Sequence, residues 1–323
     1  MPLHGHHDAI AALSDAAHAD RLHHAWLIAG PQGIGKATLA DAAALWLLAR
    51  AAGPDFADDG FEVPADHRIA SLINAGSHPD FKRLARLPKD KSEELARSIT
   101  VDQVRGLQPL FATTPSLSPR RVVVIDAIDD MERNAANALL KNLEEPPAGT
   151  VFLLVSHAPG RLLPTIRSRC RMLRLAPLDL ADTRAVLTQA LPAAEPLELD
   201  DLARIAEGAP GDAIRFAGLD ISGLDAAIDR LAVHGDTSNA LRVALGKTLG
   251  AKAAQARYEV FLERAPARIA VAARTRPPHA LAETVALWRQ ARDIADRAVH
   301  QSLDPQTTVF EISGLVAKLA PLA

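Results

Sequence analysis

The chain has 323 residues, and at ~150 residues per domain that length accommodates two or three domains. Hydrophobic residues make up 48% and charged residues 23%, which excludes a mainly disordered chain. The net charge of −3 argues against a free-standing nucleic-acid binder, which carries a basic excess.

No run of ~18 apolar residues appears, so no spanning helix is expected. The start, Met1-Pro2-Leu3-His4-Gly5-His6-His7, lacks the basic and apolar regions of a signal peptide. Cys170 is the single cysteine, which excludes an internal disulfide and a Cys-based zinc site. A cytoplasmic protein is predicted.

In chain order, the first strand is predicted over 25–29, where Ala25-Trp26-Leu27-Ile28-Ala29 is uninterrupted apolar sequence. Runs without alternation fit strands covered on both faces of a parallel sheet. After Lys36, residues Leu39, Ala43, Trp46 and Leu47 follow helical spacing. Residues 53–64 read as a surface loop. Further strands are predicted over 121–126 and 150–155. Between them Ala135, Leu139 and Leu143 mark a helix that Pro146-Pro147 stops. Strands alternating with helices give an α/β pattern.

Beyond about residue 175 the strand signal fades. Residues 179–218 read as a short helical unit, with a turn at Gly208-Ala209-Pro210-Gly211. From about 219 the chain is rich in Ala, Leu and Arg and reads as an all-helical bundle. Leu281, Val285, Trp288, Ala291 and Ala295 trace one helical stripe there. His4, His6 and His7 are placed on a frayed terminus, and none of the 12 histidines is spaced as a metal ligand.

The most informative motif follows the first strand: Gly30-Pro31-Gln32-Gly33-Ile34-Gly35-Lys36-Ala37. Its spacing is G-x-x-x-x-G-K, in the strand–loop–helix context that a phosphate-binding loop requires. Gly30, Gly33 and Gly35 let backbone amides converge on phosphate oxygens, the helix N-terminus adds its dipole, and Lys36 reaches the outer phosphates. The next residue should offer a hydroxyl to magnesium, and Ala37 has none. Thr38 lies one position on, about 100° around the helix, and is a poor substitute. Two readings stay open, a site that still binds ATP or ADP weakly and a strand–helix turn without ligand.

Asp126 ends the second long apolar run, where ATPases of this kind hold magnesium beside a following glutamate that polarises water. Here the following residue is Ala127. Asp129 and Asp130 are expected to cap the next helix. Ala37 and Ala127 together delete two parts of a hydrolytic apparatus. In Thr165-Ile166-Arg167-Ser168-Arg169-Cys170, the arginines alone read as solvated charge and Cys170 as a small buried hydrophobe.

Residues 137–147, Asn-Ala-Leu-Leu-Lys-Asn-Leu-Glu-Glu-Pro-Pro, and 163–170, Leu-Pro-Thr-Ile-Arg-Ser-Arg-Cys, resemble bacterial clamp-loader subunits of the AAA+ class. The resemblance covers roughly residues 20–215. The degraded loop and the Asp-Ala pair are similar to the delta-prime type of DNA polymerase III subunit, as is Leu22-His23-His24-Ala25-Trp26.

The resemblance implies a RecA-like AAA+ α/β domain with a parallel sheet over 1–174, a small helical lid over 175–218 and a helical collar over 219–323. It implies a pentameric ring with tau/gamma-type motor subunits and a delta subunit, acting on a sliding clamp and primer-template DNA. No intrinsic activity is expected beyond membership of the polymerase holoenzyme. Arg169 is then an arginine finger given in trans to a neighbour's ATP site, with Ser168 and Cys170 as structural members of the motif and Arg167 structural. The alternative is an active AAA+ ATPase motor subunit of a clamp loader or of a related remodeller. Many relatives of this type carry four zinc-binding cysteines where this chain has residues 50–80 without one, so no zinc and no required cofactor are expected. Gly211 stands where active motors place an arginine of the lid.

Overall fold

The computed structural model describes residues 3–53, 56, 60–89, 95–301 and 303–320. The chain divides into two compact units, Met1–Arg215 and Phe216–Ala323.

The first unit is built on a five-stranded parallel sheet: β1 (Ala25–Ala29), β2 (Phe81–Ala85), β3 (Arg121–Asp126), β4 (Thr150–Ser156) and β5 (Arg171–Arg174), in the order β2-β3-β4-β1-β5. Successive residues of a strand point to opposite faces, and both faces are covered. Trp26, Ile28, Val122, Val124, Leu153 and Val155 pack with Leu39, Trp46 and Leu47 on one side. Leu27, Val123, Ile125, Phe152 and Leu154 pack with Leu139, Leu143 and Ile166 on the other. That double coverage explains why the three central strands read as unbroken apolar runs. The edge strands β2 and β5 escaped the sequence reading because they are half polar, with Lys82, Arg83, Arg171 and Arg174 exposed.

Helices Lys36–Ala52 and Arg133–Glu144 form where the apolar spacing placed them. Of the stretch assigned to a surface loop, residues 54–55 and 57–59 lie outside the described residues. Phe61, just beyond, is buried with its ring 5.2 Å from that of Trp46, so this part of the segment belongs to the core. The N-terminal segment is not frayed. Helix His7–His18 buries Ala9, Leu13, Ala16 and Ala17 against the sheet's first face. After β5, helices Leu180–Ala190, Pro196–Ile205 and Pro210–Phe216 gather around Leu187, Leu199, Leu202, Ala203 and Ala213.

The second unit's described elements are helical, with α-helices Ile221–His234, Ala240–Leu249, Gln255–Thr275, Pro278–Gln301 and Pro305–Ala317. Pro278 and Pro305 sit at first helical positions, where a missing N–H costs nothing. Two ion pairs in parallel register, Arg264–Asp225 and Arg268–Asp229, join the first and third of these helices at 2.5 Å each. The predicted stripe on Pro278–Gln301 holds in its C-terminal half, where Ala291 and Ala295 are buried, and is displaced in its first half. Thr284, Leu287, Ala291, Ile294 and Ala298 are buried, whereas Leu281 and Trp288 remain 40% and 37% exposed. Period alone could not separate these adjacent faces, since both are apolar.

Candidate functional site

All five strands run parallel, so β1, β3 and β4 end on the same side of the sheet, the side where open α/β sheets carry their sites. β1 runs into the glycine loop, and Lys36 is the first residue of the helix behind it. Gly33 and Gly35 take φ values of 76° and 94°, the left-handed region that glycine enters without a Cβ penalty. At Gly30 a Cβ would stand 2.7 Å from the Leu175 carbonyl oxygen. Lys36 is only 3% exposed, and its ammonium donates to the Pro31 carbonyl of the same loop. Burial brings its pKa down to about 8, although Asp129, Asp126 and Asp212 pull it upward. Ala37 is half-buried and Thr38 is exposed on the helix surface.

Two segments close over this loop. The His6 ring nitrogen Nε2 lies 2.8 Å from the Ile34 carbonyl oxygen. From the other direction, the Gly211 N–H donates to the Gly33 carbonyl at 2.8 Å. The approach is so close that a Cβ on Gly33 would lie 2.8 Å from the Asp212 carboxyl carbon, and one on Gly211 would lie 3.0 Å from the Gly33 Cα. Gly33, with its left-handed φ and this clash, needs glycine, and a Cβ at Gly211 would be tight against it. A carboxylate stands beside a loop of the type that cradles phosphate.

The end of β3 is also occupied by protein. Arg83 Nη2 donates to Asp126 Oδ2 at 2.7 Å, and its Nε donates to Asp41 Oδ1 at 3.2 Å. Burial raises the Asp41 carboxyl above the usual carboxylate range against the pull of Arg83. Ala127 is packed in the core. Asp129 does not cap a helix, as its sequence position had suggested. It accepts bonds from Ser156 Oγ (3.0 Å), the His157 N–H (2.7 Å) and the Ala158 N–H (3.0 Å), tying β3 to the end of β4. Asp130 pairs with Arg86 at 3.1 Å, and Glu132 takes the N-cap position of Arg133–Glu144. Burial first, and then the nearby Lys36, lowers the pKa of His157.

Arg169 follows the short helix Pro164–Arg167. Its Nη1 donates to the Thr165 carbonyl at 2.9 Å and its Nη2 reaches Glu144 Oε1 at 2.7 Å. The Ser168 hydroxyl donates to the Thr165 carbonyl at 3.1 Å. Cys170 packs against the Leu143 and Ile166 side of the core, and burial pushes its thiol up to about 12. It is a packing group in the protonated form at neutral pH.

His67 and His78 are buried, and each Nδ1 accepts the backbone N–H of the residue two further on. Among the described residues no group of three or more His, Cys, Asp or Glu side chains could hold a metal ion.

The structure thus brings Gly30, Gly33, Gly35, Lys36 and Asp126 together at the C-terminal ends of the central strands. His6, Arg83 and Asp41 were missed because nothing local in sequence marks them. His6 reaches the loop, and Arg83 reaches Asp126 and Asp41, only through long-range packing. For Asp212, the adjoining Gly211 was a usable signal.

The family model for "DNA polymerase III, delta subunit" matches residues 5–179, more than half of the chain. The chain belongs to that family. Its similarity to the DNA polymerase III subunit delta' of Pseudomonas aeruginosa is 42% identity over 200 residues, covering 60% of this chain and 56% of that one. For the delta' subunit of Escherichia coli the identity is 35% over 196 residues, covering 61% and 55%. The chain spans about half the length of the curated relatives it matches. It also resembles E. coli subunit tau, at 30% identity over 71% of this chain and 34% of that one. A gamma-subunit-related protein from Thermotoga maritima aligns over 95% of this chain and 98% of its own, at 16% identity and a TM-score of 0.43.

Proposed function

We propose that this chain is a non-hydrolysing, delta-prime-type subunit of the DNA polymerase III clamp loader. It serves as a fixed member of a pentameric ring with tau/gamma-type motor subunits and a delta subunit, loading the sliding clamp onto primed DNA in the cytoplasm at the nucleoid. It gives Arg169 in trans to the ATP site of a neighbouring motor. A guanidinium there stabilises charge developing on the transferred phosphoryl group.

The observation that carries this reading is the state of the strand-end site. The two positions that should supply a magnesium-binding hydroxyl and a water-polarising carboxylate are Ala37 and Ala127. Asp126 is bound to Arg83, and Gly211 and Asp212 close on Gly33. Each feature removes a part needed for hydrolysis, whereas Arg169 stays at the surface with a third of its side chain accessible. The chain then needs no cofactor and no zinc, and any ATP or ADP held through Lys36 is bound weakly. In this proposal residues 175–218 are the lid and 219–323 the collar.

The alternative, an active motor subunit, draws on the complete G-x-x-x-x-G-K spacing and on the likeness to tau. Reconstitution separates the two. The isolated chain is expected to turn over ATP well below ~1 s⁻¹, the low end of ordinary enzymes, and to join a stable pentamer with motor and delta subunits. Turnover above that rate, or failure to assemble, contradicts the proposal.

A further inference from the structure

We propose that Glu144 is the positioning residue of Arg169. This inference rests on the arginine-finger reading above. Glu144 is the last residue of helix Arg133–Glu144. A carboxylate there faces the negative end of the helix macrodipole, where a cation and not an anion is stabilised. Local helix energetics therefore oppose an acidic residue at this place, and the guanidinium of Arg169 at 2.7 Å offsets that opposition.

The two groups are held in register from behind. Leu143, next to Glu144, is buried, and Cys170, next to Arg169, packs into the same apolar cluster together with buried Ile166. The turn below Arg169 is closed by the Ser168 hydroxyl and by Arg169 Nη1, both donating to the Thr165 carbonyl. One terminal nitrogen of the guanidinium is thus fixed by its own turn and the other by Glu144. With both fixed, the side chain loses its rotamer freedom before any neighbour arrives. The entropy that ordering a long flexible cation would cost at the moment of catalysis is already spent. The pair is partly solvated, with Glu144 47% and Arg169 33% exposed, so phosphate oxygens can approach the guanidinium without an expensive buried pair being broken.

The test uses the fully reconstituted complex, with DNA- and clamp-stimulated ATP hydrolysis as the readout. Glu144→Gln keeps size and acceptor oxygen but loses the charge. It is expected to lower kcat in the same direction as Arg169→Ala but by a smaller factor, with KM for ATP and pentamer formation unchanged. Both losses are limited, since only one of several motor sites adjoins this subunit. In an Arg169→Ala background the same change should cost nothing more, because a residue acting only through another shows complete coupling. Thermal unfolding of both single variants checks that the fold is retained. An unchanged kcat in Glu144→Gln beside a deficient Arg169→Ala overturns the positioning role and leaves the finger standing. So does an additive loss in the double variant. If Arg169→Ala itself is fully active, the finger reading falls and Glu144 has nothing to position.

Discussion

Arg83 and Asp126 are joined by a 2.7 Å ion pair at the end of β3, so that a guanidinium neutralises the carboxylate expected to hold magnesium. The same guanidinium reaches Asp41 at 3.2 Å. A cation built into the fold thus balances two carboxylates at the strand end.

Arg83→Met removes that cation. At pH 7 the loss should be about 0.5–1 kcal/mol, as for partly solvated pairs. The carboxyl of Asp41, already raised by burial, should rise further. A group whose folded-state pKa lies above its unfolded value gains stability as pH falls, so the gap to wild type should narrow between pH 7 and pH 5 in urea unfolding. A gap that widens on acidification contradicts the account.

Lys36 yields a second pH test of opposite sense. Its folded pKa of about 8 lies below the ordinary 10.5. Below about pH 8 the buried charge destabilises the fold in full. From there to about 10.5 the folded state releases its proton first, and stability owed to this residue rises with pH. Lys36→Met should therefore exceed wild type at pH 7 by about 1–3 kcal/mol, since each tenfold loss of proton affinity on folding is worth about 1.4 kcal/mol. Most of that lead should be gone by pH 10. A lead independent of pH would mean that the charge is not desolvated.

Cys170 should be nearly inert. With its thiol pushed up to about 12, the thiolate fraction at pH 8 is roughly 10³-fold below that of an exposed cysteine, and alkylation in the folded protein should slow accordingly. Iodoacetamide labelling followed by mass spectrometry reads this directly. Labelling at the rate of a free thiol would contradict a purely packing role.

The three central strands were legible in sequence for one physical reason: continuous burial writes itself as continuous apolar residues. The edge strands were not, because Phe81-Lys82-Arg83-Leu84-Ala85 and Arg171-Met172-Leu173-Arg174 bury only part of their length. At the site, Gly33, Lys36 and Asp126 were legible through spacing. His6 and Arg83 were not, since each meets its partner only after the chain has folded. The arginine motif was visible in sequence, whereas the Glu144–Arg169 pair spans 25 residues and required the fold.

Removing residues 219–323 tests the proposed collar. The sheet's two apolar clusters lie wholly within the first unit, so the truncated chain should keep a cooperative unfolding transition. The exposed Leu281 and Trp288 leave with the deleted helices, and co-purification with motor subunits should be lost. Stable assembly of the truncated chain would contradict the collar assignment.

The central claim is that Arg169 works on a neighbour's ATP while Lys36 does not work on this chain's own. The decisive measurement is DNA- and clamp-stimulated ATP hydrolysis by complexes reconstituted with Arg169→Ala or Lys36→Ala. Arginine fingers supplied in trans contribute about 10³- to 10⁵-fold in well-measured enzymes, and a ring with several motor sites should lose less because only one site adjoins this subunit. Activity should fall sharply with Arg169→Ala, recover little with Arg169→Lys because an ammonium lacks the planar fork, and stay near wild type with Lys36→Ala. Full activity with Arg169→Ala together with its loss in Lys36→Ala would reverse the assignment and make this chain a motor.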